Sequence, residues 1–328
     1  MPEQHCLAFS KAVLFKIAFF LFCITAITGC ELNPPPYAYI TNQLSNDISV
    51  IDTSTHEIID TISAGNRPVG IAVSQTGKKA FISNSEGQDI NILNTDTLQI
   101  TNQIDVGGSP VGIATNNDGS RVYVADWYQH KISIIDSDRA KIISTIAVGK
   151  SPAGIVIDDK NNQLYVANRD DNTVMIIDTN SQQILHTITV GTAPFGLALS
   201  PNGNTLYSVN VRSSNVSVID TRLAKVTSTI NVGEWPYCAV VSPDSKHVYV
   251  TNQDDNTISV IDAVNPSIIN TINVGDSPEG IDITADGKFV YVSNWGDGSV
   301  SIINTDNYKV EKILNTGKGS RAFGKFIQ

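Results

Sequence analysis

The sequence predicts an all-β fold: a seven-bladed β-propeller of four-stranded antiparallel blades. Three observations carry this. A frame of 42 residues recurs seven times, each copy divides into four short β runs separated by turn residues, and no window keeps a 3.6-residue period that would announce a helix. Four strands per unit of about 40 residues, repeated without insertions, is the pattern of propeller blades.

The frame is read from its fixed points. An aromatic residue opens each copy at Tyr39, Phe81, Tyr123, Tyr165, Tyr207, Tyr249 and Tyr291. The tetrad it begins, YVTN at 249–252, ends in Asn or Asp at 42, 84, 126, 168, 210, 252 and 294. A VID-like triplet ends at Asp52, Asn94, Asp136, Asp178, Asp220, Asp262 and Asn304, where an Asx bond can start the next turn. Glycines at 65, 107, 149, 191, 233, 275 and 317 close each copy, and prolines at 68, 110, 152, 194, 236 and 278 begin the next. In the copy beginning at Pro278 the four runs are GIDIT, FVYVS, SVSII and VEKIL, with Ala285-Asp286-Gly287 as a hairpin signal between the first two.

The phase predicts how the ring closes. Six blades are continuous: 68–107, 110–149, 152–191, 194–233, 236–275 and 278–317. The chain enters at a second strand, Ala38 to Thr41, and ends on Ser320 to Phe326 in the frame of a first strand. The seventh blade must therefore join 320–328 to 37–65, which leaves no open edge between the chain ends.

These tetrads, triplets and Gly–Pro closures resemble the YVTN β-propeller family, which includes surface-layer propellers and periplasmic propellers of the YncE kind. The resemblance covers about residues 37–328. It implies the propeller fold and names no single activity.

Residues 1–29 read as a signal peptide. Lys11 and Lys16 precede a short apolar run, Ile17 to Thr28, which is shorter than the ~20 residues that span a bilayer. The run ends in Ile27-Thr28-Gly29-Cys30, which resembles the lipobox of bacterial lipoproteins. That resemblance implies cleavage before Cys30 and a lipid on its thiol. Residues 30–36 are then the lipidated cysteine and a stiff linker, Glu31-Leu32-Asn33-Pro34-Pro35-Pro36, spanning at ~3 Å per residue about 20 Å. Lipid chains on Cys30 would hold the body at a membrane. With Glu31 after the cysteine, lipoprotein sorting patterns imply the periplasmic face of the outer membrane in a cell that has one.

Composition narrows the function. Residues 1–29 contain Lys11, Lys16 and Glu3, so removing them takes the net charge from −10 to −11. An acidic body disfavours nucleic-acid backbones. Cys6 and Cys23 leave with the signal, and Cys238 is then the one free thiol, expected to be buried. Enzyme motifs fail on inspection. Gly149-Lys150-Ser151 lacks the upstream glycine of a P-loop, since Ser144 stands there, and His56-Glu57 lacks a second zincin histidine, since Asp60 stands there. His56, His130, His186 and His247 fall at scattered offsets, and no cofactor or metal is expected. Asp170, Asp171, Asp254 and Asp255 have calcium-type oxygens but sit in common turn sequences.

Alternating strand direction places the loops before strand one and between strands two and three on one face, the top. All three tryptophans fall there: Trp127, Trp235 and Trp295. The residue after the proline, at the channel mouth, runs Val69, Val111, Ala153, Phe195, Tyr237, Glu279 and then Arg321. With Arg169 from a neighbouring loop, Trp127, Phe195, Trp235, Tyr237, Glu279, Trp295 and Arg321 form the expected binding face, because exposed aromatics and arginine are the usual binding anchors. The first expectation is a non-enzymatic scaffold presenting this face to a protein or glycan. The second is hydrolysis of a lactone or similar small molecule in the channel, with Glu279 as the one candidate base and Arg321 holding an anion. The third is single-stranded nucleic-acid binding through Arg169, Arg212, Lys131 and the tryptophans, which the net charge opposes. Oligomeric state is left open.

Overall fold

The computed structural model describes residues 36–328. The signal peptide expected over 1–29, Cys30 and most of the linker lie outside the described residues. Strands β1 (Tyr37–Asn42), β2 (Asp47–Asp52) and β3 (Glu57–Ser63) form one sheet, and six four-stranded sheets follow in strict chain order. They span 68–105, 110–147, 152–189, 194–231, 236–273 and 278–315, and are called blades 1 to 6. Among the described residues, helix is confined to two 3₁₀ turns in top loops, Arg169–Asp171 and Val211–Ser213.

The C-terminal segment completes blade 7. Tyr39 N donates to Phe326 O at 3.0 Å, Arg321 N to Thr41 O at 2.8 Å and Gln328 N to Tyr37 O at 3.1 Å. Antiparallel bridges join Ala38 to Ile327 and Asn42 to Ser320. The same segment also bonds to the far side, which the repeat frame does not announce. Ile71 N donates to Phe323 O at 2.7 Å and Val73 N to Lys325 O at 2.9 Å, a parallel contact with the inner strand of blade 1, β4 (Pro68–Val73). The last residues thus pair with chain on both sides.

The repeated letters are structural. The Asn ending each tetrad is buried and reaches across to the third strand: Asn252 Nδ2 donates to Thr257 Oγ1 at 3.0 Å and Ser259 Oγ at 2.9 Å. Except at Gly107, where Gly108 meets Asp126 instead, a blade's closing glycine packs on the next blade's Asn. A Cβ on Gly65 would lie 2.4 Å from Asn84 Cγ, so the two motifs require each other. The Asx bonds form as expected; Asp262 Oδ1 accepts from Val264 N at 2.8 Å and Asn265 N at 3.0 Å. The apolar clusters lie between blades. Ala114, Tyr123, Ile132 and Ile134 of blade 2 pack on Ile155, Leu164, Val166 and Ile177 of blade 3.

One irregularity positions the site. In each of blades 1 to 6 the register slips just after the proline, as in Pro68↔Asn84 followed by Ile71↔Ile82. Such a β-bulge re-aims a side chain. The residue it re-aims is the mouth residue.

Candidate functional site

The central channel is divided into two compartments. Phe195 and Tyr237 come from mouth positions of blades 4 and 5, and Phe323 from the C-terminal strand. Their rings meet at centroid distances of 4.4 Å (Phe195–Tyr237), 5.1 Å (Phe195–Phe323) and 5.4 Å (Tyr237–Phe323, 20° between planes). This aromatic plug lies between a shallow upper bowl of about 270 Å³ and a larger lower shaft of about 490 Å³. Val111, Phe195 and Phe323 line both.

The rim of the bowl is an ion network. Arg321 Nε lies 2.7 Å from Glu279 Oε2, close enough for ion pairing although the N–H does not point along the contact. Gln253 Nε2 donates to Glu279 Oε1 at 2.7 Å. Arg321 Nη1 donates to Gln43 Oε1 at 2.9 Å and Nη2 to the Tyr237 hydroxyl at 3.3 Å, with the guanidinium 4.8 Å above the Phe323 ring. Glu279 is 2% exposed. Burial pushes its carboxyl above the usual range, and the Arg321 charge and the Gln253 bond only partly oppose this. Burial pulls hardest on Arg321, but the Glu279 charge, the Tyr237 hydroxyl and the hydrogen bonds to both together outweigh it and keep the guanidinium charged. Burial, with Glu279 nearby, raises the Tyr237 hydroxyl to about 12.

Trp127 leans into the bowl from the top loop of blade 2, 6.2 Å from Phe195, with the Arg169 guanidinium of blade 3 over its ring at 5.6 Å. Arg169 is anchored by Asp170 at 2.8 Å. Tyr128 beside it is 73% exposed and also lines the bowl. Trp295 has a different environment. Its Nε1 donates to Gln43 Oε1 at 3.1 Å, so it buttresses the oxygen that holds Arg321. Trp235 stands apart: it is 39% exposed, lines neither compartment, and occupies a left-handed backbone position (φ 53°). The expected face is thus one cluster of Trp127, Arg169, Phe195, Tyr237, Glu279 and Arg321, with Trp295 behind it and Trp235 outside it.

One aspartate of each DDNT turn is occupied as a loop cap. Asp171 Oδ2 accepts from Lys150 N at 2.8 Å and Asp255 Oδ2 from Glu234 N at 2.8 Å. Cys238 takes the place of the usual P-x-G glycine, and burial pushes its thiol far up, which makes it a poor nucleophile.

Several residues of the channel were not singled out by the mouth-position reading. Gln43 and Gln253 sit at the same loop offset as Trp127 and Trp295, so the frame could have flagged them. Phe323 falls in a column otherwise filled by Ile, Leu or Ala. Asp282 is the strongest omission, a carboxylate in a column that reads Ala72, Ala114, Val156, Ala198 and Val240 in other blades. Its Oδ2 accepts from Phe326 N at 2.9 Å and Ile327 N at 2.8 Å, and its Oδ1 from Ile283 N at 2.9 Å. Burial raises its pKa to about 6 even so, against the pull of Lys325 and these amides.

Comparison with known proteins agrees with this architecture. Residues 32–121 match the YNCE-like beta-propeller model, residues 137–234 the model of the seven-bladed beta-propeller lactonases, and residues 234–321 that of the cytochrome D1 heme domain. Among solved structures, the chain is similar to hydrazine synthase of Kuenenia stuttgartiensis (TM-score 0.72, 23% identity, 77% of this chain and 87% of that one). It is also similar to a functionally unknown protein of Desulfotomaculum acetoxidans (TM-score 0.77, 17% identity, 88% and 99%). A third is the dihydro-heme d1 dehydrogenase NirN (TM-score 0.68, 14% identity, 88% and 75%). At these identities the likeness is one of fold. A segment of 46 residues, 14% of the chain, is 48% identical to the PE-PGRS family protein PE_PGRS18 of Mycobacterium tuberculosis, and it spans a tenth of that protein's length.

Despite the heme-domain match, the residues of the channel do not fit a haem. A haem iron takes an axial His, Met, Cys or Tyr. No histidine or methionine lines either compartment among the described residues; Tyr237 is bonded to Arg321, and Cys238, which lines the shaft, is held as a thiol by burial where a ligand must be the thiolate. The bowl is also smaller than the ~300 Å³ at which ligand pockets begin. The repeat frame and the six continuous blades with their C-terminally closed seventh make the chain a seven-bladed β-propeller, one whose residues 32–121 resemble the YNCE-like propellers.

Proposed function

We propose that this protein is a membrane-tethered, non-enzymatic binding module that presents its upper bowl to a protein or glycan partner. The supporting observation is the placement of Trp127 and Tyr128. Both line the bowl, Trp127 with the Arg169 guanidinium over its ring, while the mouth carboxylate, Glu279, is committed to Arg321 and Gln253. Aromatic and arginine anchors in a partly desolvated depression are the residues that carry binding energy. The tether is the lipid proposed for Cys30, on the periplasmic face of an outer membrane where there is one. Incorporation of labelled palmitate, lost in Cys30→Ser, tests that part.

The binding reading is tested with the mature protein immobilised over a glycan array and a panel of purified envelope proteins. Trp127→Ala with Tyr128→Ala should abolish retention of whichever class binds, without lowering the melting temperature. Retention unchanged by that double substitution would remove the bowl as the site.

The match of residues 137–234 to the lactonase model supports a second reading, hydrolysis in the channel. That segment contains neither Glu279 nor Arg321. Turnover of a lactone panel that disappears in Glu279→Gln would replace the binding reading with this one.

A further inference from the structure

We infer that the lower shaft is a second binding site, for a small amphiphilic organic carboxylate whose apolar body fills the shaft and whose anionic head sits at the lower mouth. The proposal is independent of the upper bowl. The shaft's volume of about 490 Å³ lies within the ~300–1,000 Å³ of small-molecule sites, and its blind end is the Phe195–Phe323 plug. Its walls are the inner strands, chiefly Ala, Val, Ile and Leu side chains and glycine backbone. Water against such walls makes few hydrogen bonds, so an apolar body that displaces it gains free energy.

The head-group assignment rests on the two charged side chains lining the shaft, Asp282 and Lys325. Asp282 is 5% exposed and its oxygens are turned into three backbone amides of its own strand and the C-terminal strand. It is committed to holding that strand. Lys325 is exposed, has no hydrogen-bond or ion-pair partner among the described residues, and takes a column filled by Val, Thr, Ile or Leu in the other blades. The Val73 N to Lys325 O bond sets Lys325 beside the end of β4, and Gln75, two residues beyond Val73, also lines the shaft, its exposed amide without a hydrogen-bond partner among the described residues. A cation and an amide donor that both line an otherwise apolar shaft match a carboxylate attached to an apolar body. A cationic ligand would find no uncommitted acceptor of opposite charge there.

The test uses the mature protein and 2-naphthoate, titrated by calorimetry beside 2-naphthamide and acetate. Saturable 1:1 binding of naphthoate is expected, with naphthamide at least 10-fold weaker and acetate undetected. Lys325→Ala should weaken naphthoate about 10-fold and leave naphthamide unchanged, Gln75→Ala should act in the same direction, and Trp127→Ala should have no effect. Both rim residues are exposed, and an unchanged melting curve checks each variant's fold. The proposal is overturned by equal affinities for naphthoate and naphthamide, by no binding at millimolar concentration, or by a response to Trp127→Ala instead of Lys325→Ala, which would place the probe in the upper bowl.

Discussion

Arg321 and Glu279 occupy the same frame position one repeat apart, and their side chains meet at 2.7 Å between the mouths of blades 7 and 6. Both are largely buried, at 18% and 3% side-chain exposure. Removing one partner of such a pair strands a charge, at a cost of about 3–5 kcal/mol, while replacing both with apolar residues costs far less. Glu279→Leu and Arg321→Met should each lower the denaturant midpoint strongly, and the double variant should recover most of the loss. Additive losses would show that the pair does not act as a unit.

The ring depends on its last residues. Phe323, Phe326 and Ile327 are buried, and each contributes about 2 kcal/mol by burial alone, besides the backbone bonds to β1 and β4. A chain ending at residue 319 should lose on the order of 6 kcal/mol or more and unfold at a lower temperature. A melting curve superimposable on that of the full chain would refute this closure.

Asp282 should make stability depend on pH. Its folded pKa, about 6, lies above the ordinary 3.8, so the folded state holds the proton more tightly than the unfolded chain. Its contribution is complete below pH ~4 and is lost as pH rises through 6, by about 3 kcal/mol for a shift of roughly two units. The melting temperature of the native chain relative to that of Asp282→Asn should therefore fall between pH 4 and pH 7. Parallel curves for the two proteins would contradict it.

The three tryptophans should separate by role. Trp295→Ala removes the indole that holds Gln43, and so loosens Arg321, with a loss of about 2–4 kcal/mol in thermal or chemical melts. Trp127→Ala should impair partner binding with little change in stability. Trp235→Ala, at an exposed site outside the bowl, should change neither. Equal effects of all three would show that the top face acts as one surface.

Much of this molecule was legible in the repeat. The tetrad Asn and the closing Gly meet because they recur at fixed spacing and each blade packs on the next in the same way. The odd letters at the mouth pointed to Phe195, Tyr237, Glu279 and Arg321, which do converge. Reading the next columns the same way would have exposed Asp282 as well. It would not have shown what Asp282 holds, because the amides it binds belong to the C-terminal strand.

The sequence alone determined the number of blades, their limits and the phase of closure, because these follow from a period and its starting point. Only the tertiary structure decided which unique residues meet. Trp295 touches Gln43 across 252 residues, while Trp235, two residues from Tyr237 in sequence, lies outside the cluster that Tyr237 joins. The folded ring also set the division of the channel, since Phe323 meets Phe195 and Tyr237 only after the C-terminal strand has docked beside β4. Periodicity fixes the local contacts that each blade repeats. Ring closure and side-chain volume at the axis decide the contacts made once.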